Sequence, residues 1–218
     1  MSSVVDKIHV MTNEPDGAAA PGRRSEYAQL TRQAIVEAAR ELFTRKGYFA
    51  TKVEDIAKAA RVAPATVYAV GGGKNGLLRT LIEAGAKDEN IPQILARIES
   101  ITEPRDLIRF VVHTTRVKFE EWSGLMRQVA AAAVQEPGVR ESERIAHEGL
   151  RGGLALTARR LMEMGAFRPG VDVDRATDLL WIYLCNAAYF IRTDDLGWSL
   201  DQSETWLNET LTFALLGS

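Results

Sequence analysis

The stretch TKVEDIAKAARVAPATVYAVGGGK, Thr51 to Lys74, reads as two short helices joined by a tight turn. Thr51 and Glu54 have the spacing of a capping box, which starts the first of them. Val53, Ile56, Ala57 and Ala60 recur at helical spacing and form its buried stripe. The turn is Arg61, Val62 and Ala63. Pro64 opens the second helix, where its missing N–H would be unpaired in any case. Gly71, Gly72 and Gly73 end that helix. Ala57, Ala59 and Ala60 are small enough for close helix approach, and Val62 can plug the gap between the helices. A unit of this kind presents its second helix as a rigid probe for the major groove of DNA.

Helical patterning continues on both sides. Leu30, Ala34, Ile35, Ala38, Ala39, Leu42 and Phe43 form one helical face, ended by Gly47 after Arg45 and Lys46. A helix beginning near Lys74 carries Leu77, Leu78, Leu81 and Ile82 on one side. Further helices are expected at 91–101, 104–121, 123–134, 138–164, 173–193 and 200–216. Pro92, Pro104, Pro137-Gly138, Gly165, Pro169-Gly170 and Gly197 separate most of them, and Ser199 with Gln202 gives a second capping box. The expected fold is all-α with about nine to ten helices. An N-terminal three-helix helix-turn-helix DNA-binding domain occupies 23–87 and a larger C-terminal helical domain 88–218. Residues 1–22, with Asn13, Pro15, Gly17 and Pro21, read as a disordered arm. Arg23 and Arg24 at its end could reach a phosphate or a minor groove.

Charge is unevenly distributed. Residues 23–87 hold 12 Lys and Arg against 6 Asp and Glu, whereas 88–218 hold 14 against 20. A basic N-terminal third on an acidic remainder suits a nucleic-acid module joined to a larger body. The single cysteine, Cys185, excludes an internal disulfide and a multi-cysteine metal site. It sits in the apolar run LLWIYLCNAAYFI, where buried packing is expected. That run, Leu179 to Ile191, is too short to span a bilayer. The N-terminus lacks the apolar core of a signal peptide, so a cytoplasmic location without membrane attachment is expected. His9, His113 and His147 lack metal-ligand spacing. GGGK lacks the remaining spacing of a phosphate loop, and no nucleophile–base pair stands out. Neither a cofactor nor a metal is expected, and the chain does not read as an enzyme.

Side-chain chemistry suggests roles along the probe. Thr51 and Lys52 are placed for phosphate contact at a helix N-terminus. Ala63, Pro64 and Ala65 begin the probe, and Pro64 and Ala65 could touch a thymine methyl. Thr66 can bond a base edge or a phosphate, and Tyr68 can donate its hydroxyl to a phosphate. Lys74 offers a further phosphate clamp, and Arg61 could reach the backbone.

From about Leu30 to Ile82 the chain resembles the DNA-binding domain of the TetR family of transcriptional regulators. The resemblance rests on Thr31-Arg32, Ala38-Ala39-Arg40-Glu41-Leu42-Phe43, Gly47-Tyr48, Ile56-Ala57, Thr66-Val67-Tyr68 and Lys74 with Leu77-Leu78. Three positions depart from the family pattern. Arg61 stands where a turn glycine is usual, Ala63 where a capping serine is frequent, and Gly71 where an aromatic is usual. The recognition helix is therefore expected to be held less firmly, and Gly71→Phe is expected to stabilise the domain.

The resemblance implies a C-terminal domain that binds a small molecule and forms a homodimer through its last two long helices. The broad apolar faces of 173–193 and 200–216 agree with that. His113, Phe119, Trp122, Met126, His147, Met162, Met164, Trp181, Tyr183, Asn186 and Tyr189 are candidates to line a pocket for a small hydrophobic or aromatic effector. The implied function is a repressor that binds palindromic operator DNA and is released by its effector. An activator or adaptor on the same fold is the alternative, and an all-α enzyme the third reading.

Overall fold

The structure, a computed structural model, describes residues 23–86 and 90–217. The expected arm over 1–22 lies outside the described residues. Ten α-helices follow one another among those described. They are α1 (Arg23–Lys46), α2 (Val53–Ala59), α3 (Pro64–Gly71), α4 (Gly73–Ala86) and α5 (Ile91–Ser100). Then come α6 (Pro104–Ala133), α7 (Pro137–Glu163), α8 (Val173–Leu184), α9 (Asn186–Phe190) and α10 (Leu200–Leu215). A π-helical turn, Ile191–Asp195, continues α9. No strand is present among the described residues; one isolated antiparallel bridge pairs Phe167 with Leu216 and pins the C-terminal end beside the loop after α7.

Two apolar cores organise the helices. The first joins Ile35, Ala39 and Phe43 of α1 to Ile56, Val67, Leu77 and Leu78. It also takes in Leu125, Val129, Ala132 and Ala133 of α6 and Val139 of α7. The second gathers α5, the first half of α6, and α7 through α10 around Leu107, Ile108, Leu154, Leu161, Leu180 and Leu211. The 30-residue α6 is roughly 45 Å long at 1.5 Å per residue, enough to serve both cores. Helices α1–α4 are thus packed on the body through buried apolar surface, not strung from it by a linker.

Three elements differ from the sequence expectation. The expected helices 104–121 and 123–134 are one continuous α6. Gly124 lies where α6 crosses α1: a Cβ there would stand 2.7 Å from Thr44 Cγ2. The glycine serves close approach and leaves the helix intact. Conversely, the expected helix 173–193 is interrupted at Cys185, whose extended backbone (ψ 158°) ends α8. Cys185 is half-buried at that joint rather than packed within a helix. Finally, α2 is capped by Lys52, not Thr51. The Lys52 N–H donates to Asp55 Oδ2 at 3.1 Å, so the reciprocal contact falls one residue later than the Thr51–Glu54 spacing implied. At α10 the Ser199 hydroxyl accepts from the Gln202 N–H at 3.1 Å, as its spacing suggested.

Candidate nucleic-acid interface

The α2–α3 corner is built from backbone geometry first. α2 ends at Ala60, and Arg61 adopts the left-handed conformation (φ 57°). The Val62 N–H donates to Ala57 O at 2.9 Å and the Arg61 N–H to Lys58 O at 3.3 Å. These are the two bonds of a Schellman motif, with Val62 turned back onto the first core. Arg61 therefore occupies the position glycine favours, and the motif forms despite the Cβ. Ala63 caps α3 without a side-chain bond, and Pro64 takes the first helical position.

α3 is an eight-residue helix with a single fully buried side chain, Val67. Ala63, Pro64, Ala65 and Tyr68 face solvent, Tyr68 at 58% exposure, while Thr66 is half-buried. Arg61 is exposed in the turn before α3, and Lys52 is exposed at the N-terminal end of α2. The far end of α3 is held in two ways. Arg32 Nη1 of α1 donates to Val70 O at 3.1 Å. Gly72, left-handed at φ 66°, donates its N–H to Tyr68 O at 2.9 Å.

The glycines after α3 are the tightest crossing of this region. A Cβ on Gly71 would stand 2.4 Å from Leu77 Cδ2, and one on Gly76 1.9 Å from the Gly71 carbonyl oxygen. The first turn of α4 is pressed directly onto the end of α3. Absence of an aromatic at Gly71 therefore does not loosen the recognition helix; backbone contact replaces the missing ring. The expectation that Gly71→Phe stabilises the domain is reversed by this geometry.

Two candidate phosphate ligands face inward. Thr51 is 1% exposed, and its hydroxyl donates to Gly47 O at 2.7 Å, also lying 3.4 Å from Leu42 O. It satisfies carbonyls at the end of α1, so its hydroxyl is spent inside the domain. Lys74 Nζ donates to Tyr48 O at 3.0 Å and lies 4.3 Å from the centre of the Tyr48 ring. Half-buried there, it braces the α1–α2 corner. Arg23 and Arg24 begin α1, and their side chains fall outside those described.

The corner is itself tied to the body. The Tyr48 N–H donates to Gln128 Oε1 at 2.9 Å, and Asn75 Nδ2 donates to Glu136 Oε2 at 2.8 Å. Burial, with the Glu136 carboxylate nearby, pushes the Tyr48 hydroxyl up to about 12. Gln128 and Asn75 had no signal in the sequence, and Arg32 was marked only by the resemblance, because each acts through a contact far away along the chain.

The candidate pocket residues do not meet in one cavity. Phe119 stacks on Tyr189 with ring centres 4.7 Å apart in the second core. Trp122 and Met126 pack on the first core instead, Trp122 beneath Arg40. His147 and Trp181 meet edge to face at 5.4 Å in a surface cleft of about 400 Å³, flanked by Arg140, Arg144 and Arg151. Tyr183 meets Trp206, and Met164 packs on the second core. His113 is exposed and pairs with Glu204, Met162 is exposed, and Asn186 is the first residue of α9. No cluster of three or more His, Cys, Asp or Glu side chains suited to a metal occurs among the described residues. No helix among them is long and apolar enough to cross a membrane.

Comparison with known proteins agrees with this corner. Residues 35–81 match the model of the bacterial regulatory proteins of the tetR family. The HTH-type transcriptional regulator UidR of Escherichia coli (strain K12) is 23% identical over 169 residues, covering 78% of this chain and 85% of that relative. A protein described as a transcriptional regulator from Saccharomonospora viridis, solved in complex with choline, superposes with a TM-score of 0.73. It is 22% identical, with 87% of this chain and 100% of that chain covered. The SmeT–triclosan complex superposes with a TM-score of 0.67 at 19% identity, covering 86% and 92%. These structural likenesses show the shared fold. The matches are to regulators, not enzymes.

Proposed function

We propose that the chain, whose residues 35–81 match the tetR family model, is a TetR-type transcriptional regulator that represses as a homodimer on a palindromic operator and is released by a small-molecule effector. The observation that carries this reading is the outer ridge of α3, where Tyr68 stands exposed beside the fully buried Val67. One residue anchors the probe and its neighbours are free to meet DNA. Pro64 and Ala65 offer apolar contact to thymine methyls, Thr66 and Tyr68 offer hydroxyls, and Lys52 and Arg61 offer charge to phosphates. Such small side chains specify few bases directly, so DNA shape supplies part of the discrimination.

A single short helix covers few base pairs, and two copies reading two half-sites solve that problem. α8 leaves Ile182 exposed and α10 leaves Phe213 at 77% exposure, apolar surface that a second copy would cover. The first core, shared between α1–α4 and the ends of α6 and α7, is the route from body to DNA. An effector that prefers one arrangement of the body shifts the spacing of the two probes by its difference in affinity for the two states. Choline and triclosan in the two related structures show what kinds of small molecule those proteins hold; a small apolar or aromatic effector is the counterpart here.

Fluorescence anisotropy with DNA from upstream of the gene tests this reading, using wild type and Tyr68→Ala at physiological salt. Wild type should prefer upstream DNA over random DNA, and Tyr68→Ala should lose most of that preference without a change in melting temperature. Equal binding of both DNAs by wild type overturns the proposal. Sedimentation of the free protein as a monomer at micromolar concentration overturns the homodimer.

A further inference from the structure

Arg192 is 5% exposed, yet it forms no ion pair among the described residues. It lies in the π-helical turn Ile191–Asp195, a rare geometry that recurs at functional positions. Its Nε donates to Ser203 Oγ of α10 at 2.7 Å. The guanidinium lies on the Tyr189 ring, 4.5 Å from its centre, and 6.0 Å from that of Trp206. Nη2 is buried and has no hydrogen-bond partner. Burial holds the guanidinium below the usual arginine range, the expected direction for a cation taken from water without a counter-charge.

Two nearby carboxylates are committed elsewhere, and Asp195 is exposed. Asp194, two residues along, makes a two-pronged bond with Arg127 through Nε at 2.8 Å and Nη2 at 2.6 Å. Glu204 pairs with Arg116 and His113. The molecule thus supplies acids to Arg116 and Arg127 on its surface and withholds one from the arginine inside. A buried, unpaired guanidinium is costly, and replacing such a group by an apolar one often stabilises a fold. A planar fork with an unpaired N–H group suits an oxyanion, and among such aromatic walls a singly charged carboxylate is less costly to bury than a phosphate.

The walls complete the argument. Trp206 also meets Tyr183 and Trp198, with ring centres 5.7 and 5.5 Å away. Tyr189 stacks on Phe119, and its hydroxyl lies 3.2 Å from Thr115 Oγ1. The cation is enclosed by aromatic faces with a few hydroxyls between them. The segment carrying Tyr189 and Arg192 is bounded by the extended break at Cys185 and by Gly197, left-handed at φ 68°.

We propose that Arg192, with Ser203 and the aromatic rings of Tyr189 and Trp206, binds the carboxylate of a small acid with an aromatic or apolar body. This rests on reading the body as an effector-binding domain and names the chemical class of the effector. The test uses the full chain with benzoate, phenylacetate and hexanoate, each against its neutral amide, by calorimetric titration and thermal shift. At least one acid should bind and raise the melting temperature of wild type, with its amide at least tenfold weaker. Arg192→Met should abolish the response while the free variant melts no lower than wild type. Arg192→Met that folds and still responds to the acid marks a purely structural arginine and overturns the proposal. So does equal binding of acids and amides, or silence from all three acids. Should Arg192→Met fail to fold, Arg192→Lys decides: acid binding weakened at least tenfold supports the site, and unchanged binding overturns it. Operator binding by the unliganded protein is scored separately. Its loss sinks the regulator reading, whereas carboxylate silence with intact operator binding sinks only the acid site.

Discussion

The backbone N–H of Tyr48 donates to the side-chain oxygen of Gln128 at 2.9 Å, joining the α1–α2 corner to the C-terminal part of α6. Tyr48 is buried, so its amide has little access to replacement water. Gln128→Ala leaves that donor unpaired at a cost of about 1–3 kcal/mol. Gln128→Glu keeps an acceptor in place and should cost less. Urea denaturation checks both, and an unchanged midpoint for Gln128→Ala would show that the bond carries no stability. If the proposed function holds, the same variant should show a smaller effect of bound effector on operator affinity.

Arg61 at φ 57° sits in a Schellman motif whose two backbone bonds are both formed. A side chain in the left-handed region costs roughly 1–2 kcal/mol, and glycine removes that cost. Arg61→Gly should therefore raise stability by about 1 kcal/mol. The exposed guanidinium also lies in the turn before the helix proposed to meet DNA. If it touches a phosphate, the variant loses affinity evenly across sequences and the salt dependence falls by about one charge. A more stable protein with reduced DNA affinity is the expected combination; lower stability would sink the strain argument.

Gly71→Phe should lower the melting temperature. Its Cβ alone would reach 2.4 Å from Cδ2 of the fully buried Leu77, before any ring is placed. Overpacking of this kind costs about 1–3 kcal/mol. Gly76→Ala is a sharper version, since its Cβ would stand 1.9 Å from a backbone oxygen that cannot rotate away. Differential scanning fluorimetry ranks the two, with Gly76→Ala expected to be the more damaging.

What was legible in the sequence follows from what each signal depends on. The α2–α3 unit was readable because Pro64, Val62 and the glycine run act on neighbouring residues. Lys52 rather than Thr51 at the cap, a shift of one residue, required knowing that Thr51 was already bonded to Gly47 O. The expected gap at 122 was absent because α6 runs straight through, and nothing local shows that Gly124 sits at a crossing until Thr44 is placed beside it. Cys185 misled in the other direction, since an apolar run carries no mark of a break. The candidate pocket could be read only as a list of suitable side chains. Trp122 and Trp181 belong to different surroundings because packing partners are set by the fold and not by residue type. Arg192 was invisible for the same reason: nothing local distinguishes an arginine whose partner is missing.

Tyr48 gives a prediction in alkaline solution. Its hydroxyl is raised from 10.0 to about 12, first by burial and then by Glu136. A group raised on folding favours the folded state fully below its unfolded value. That contribution is lost as pH climbs through the folded value. Stability should therefore fall between about pH 10 and pH 12 as the unfolded chain releases a proton the folded chain retains. Burial also raises Tyr189, which adds a slope of the same sign, so the comparison must isolate Tyr48. Tyr48→Phe removes one of the two contributions and should flatten the fall in melting temperature across that window while leaving the Tyr189 part. Coincident slopes for wild type and Tyr48→Phe would mean that the buried hydroxyl keeps no proton on folding, and the joint between Tyr48 and Glu136 would lose its electrostatic basis.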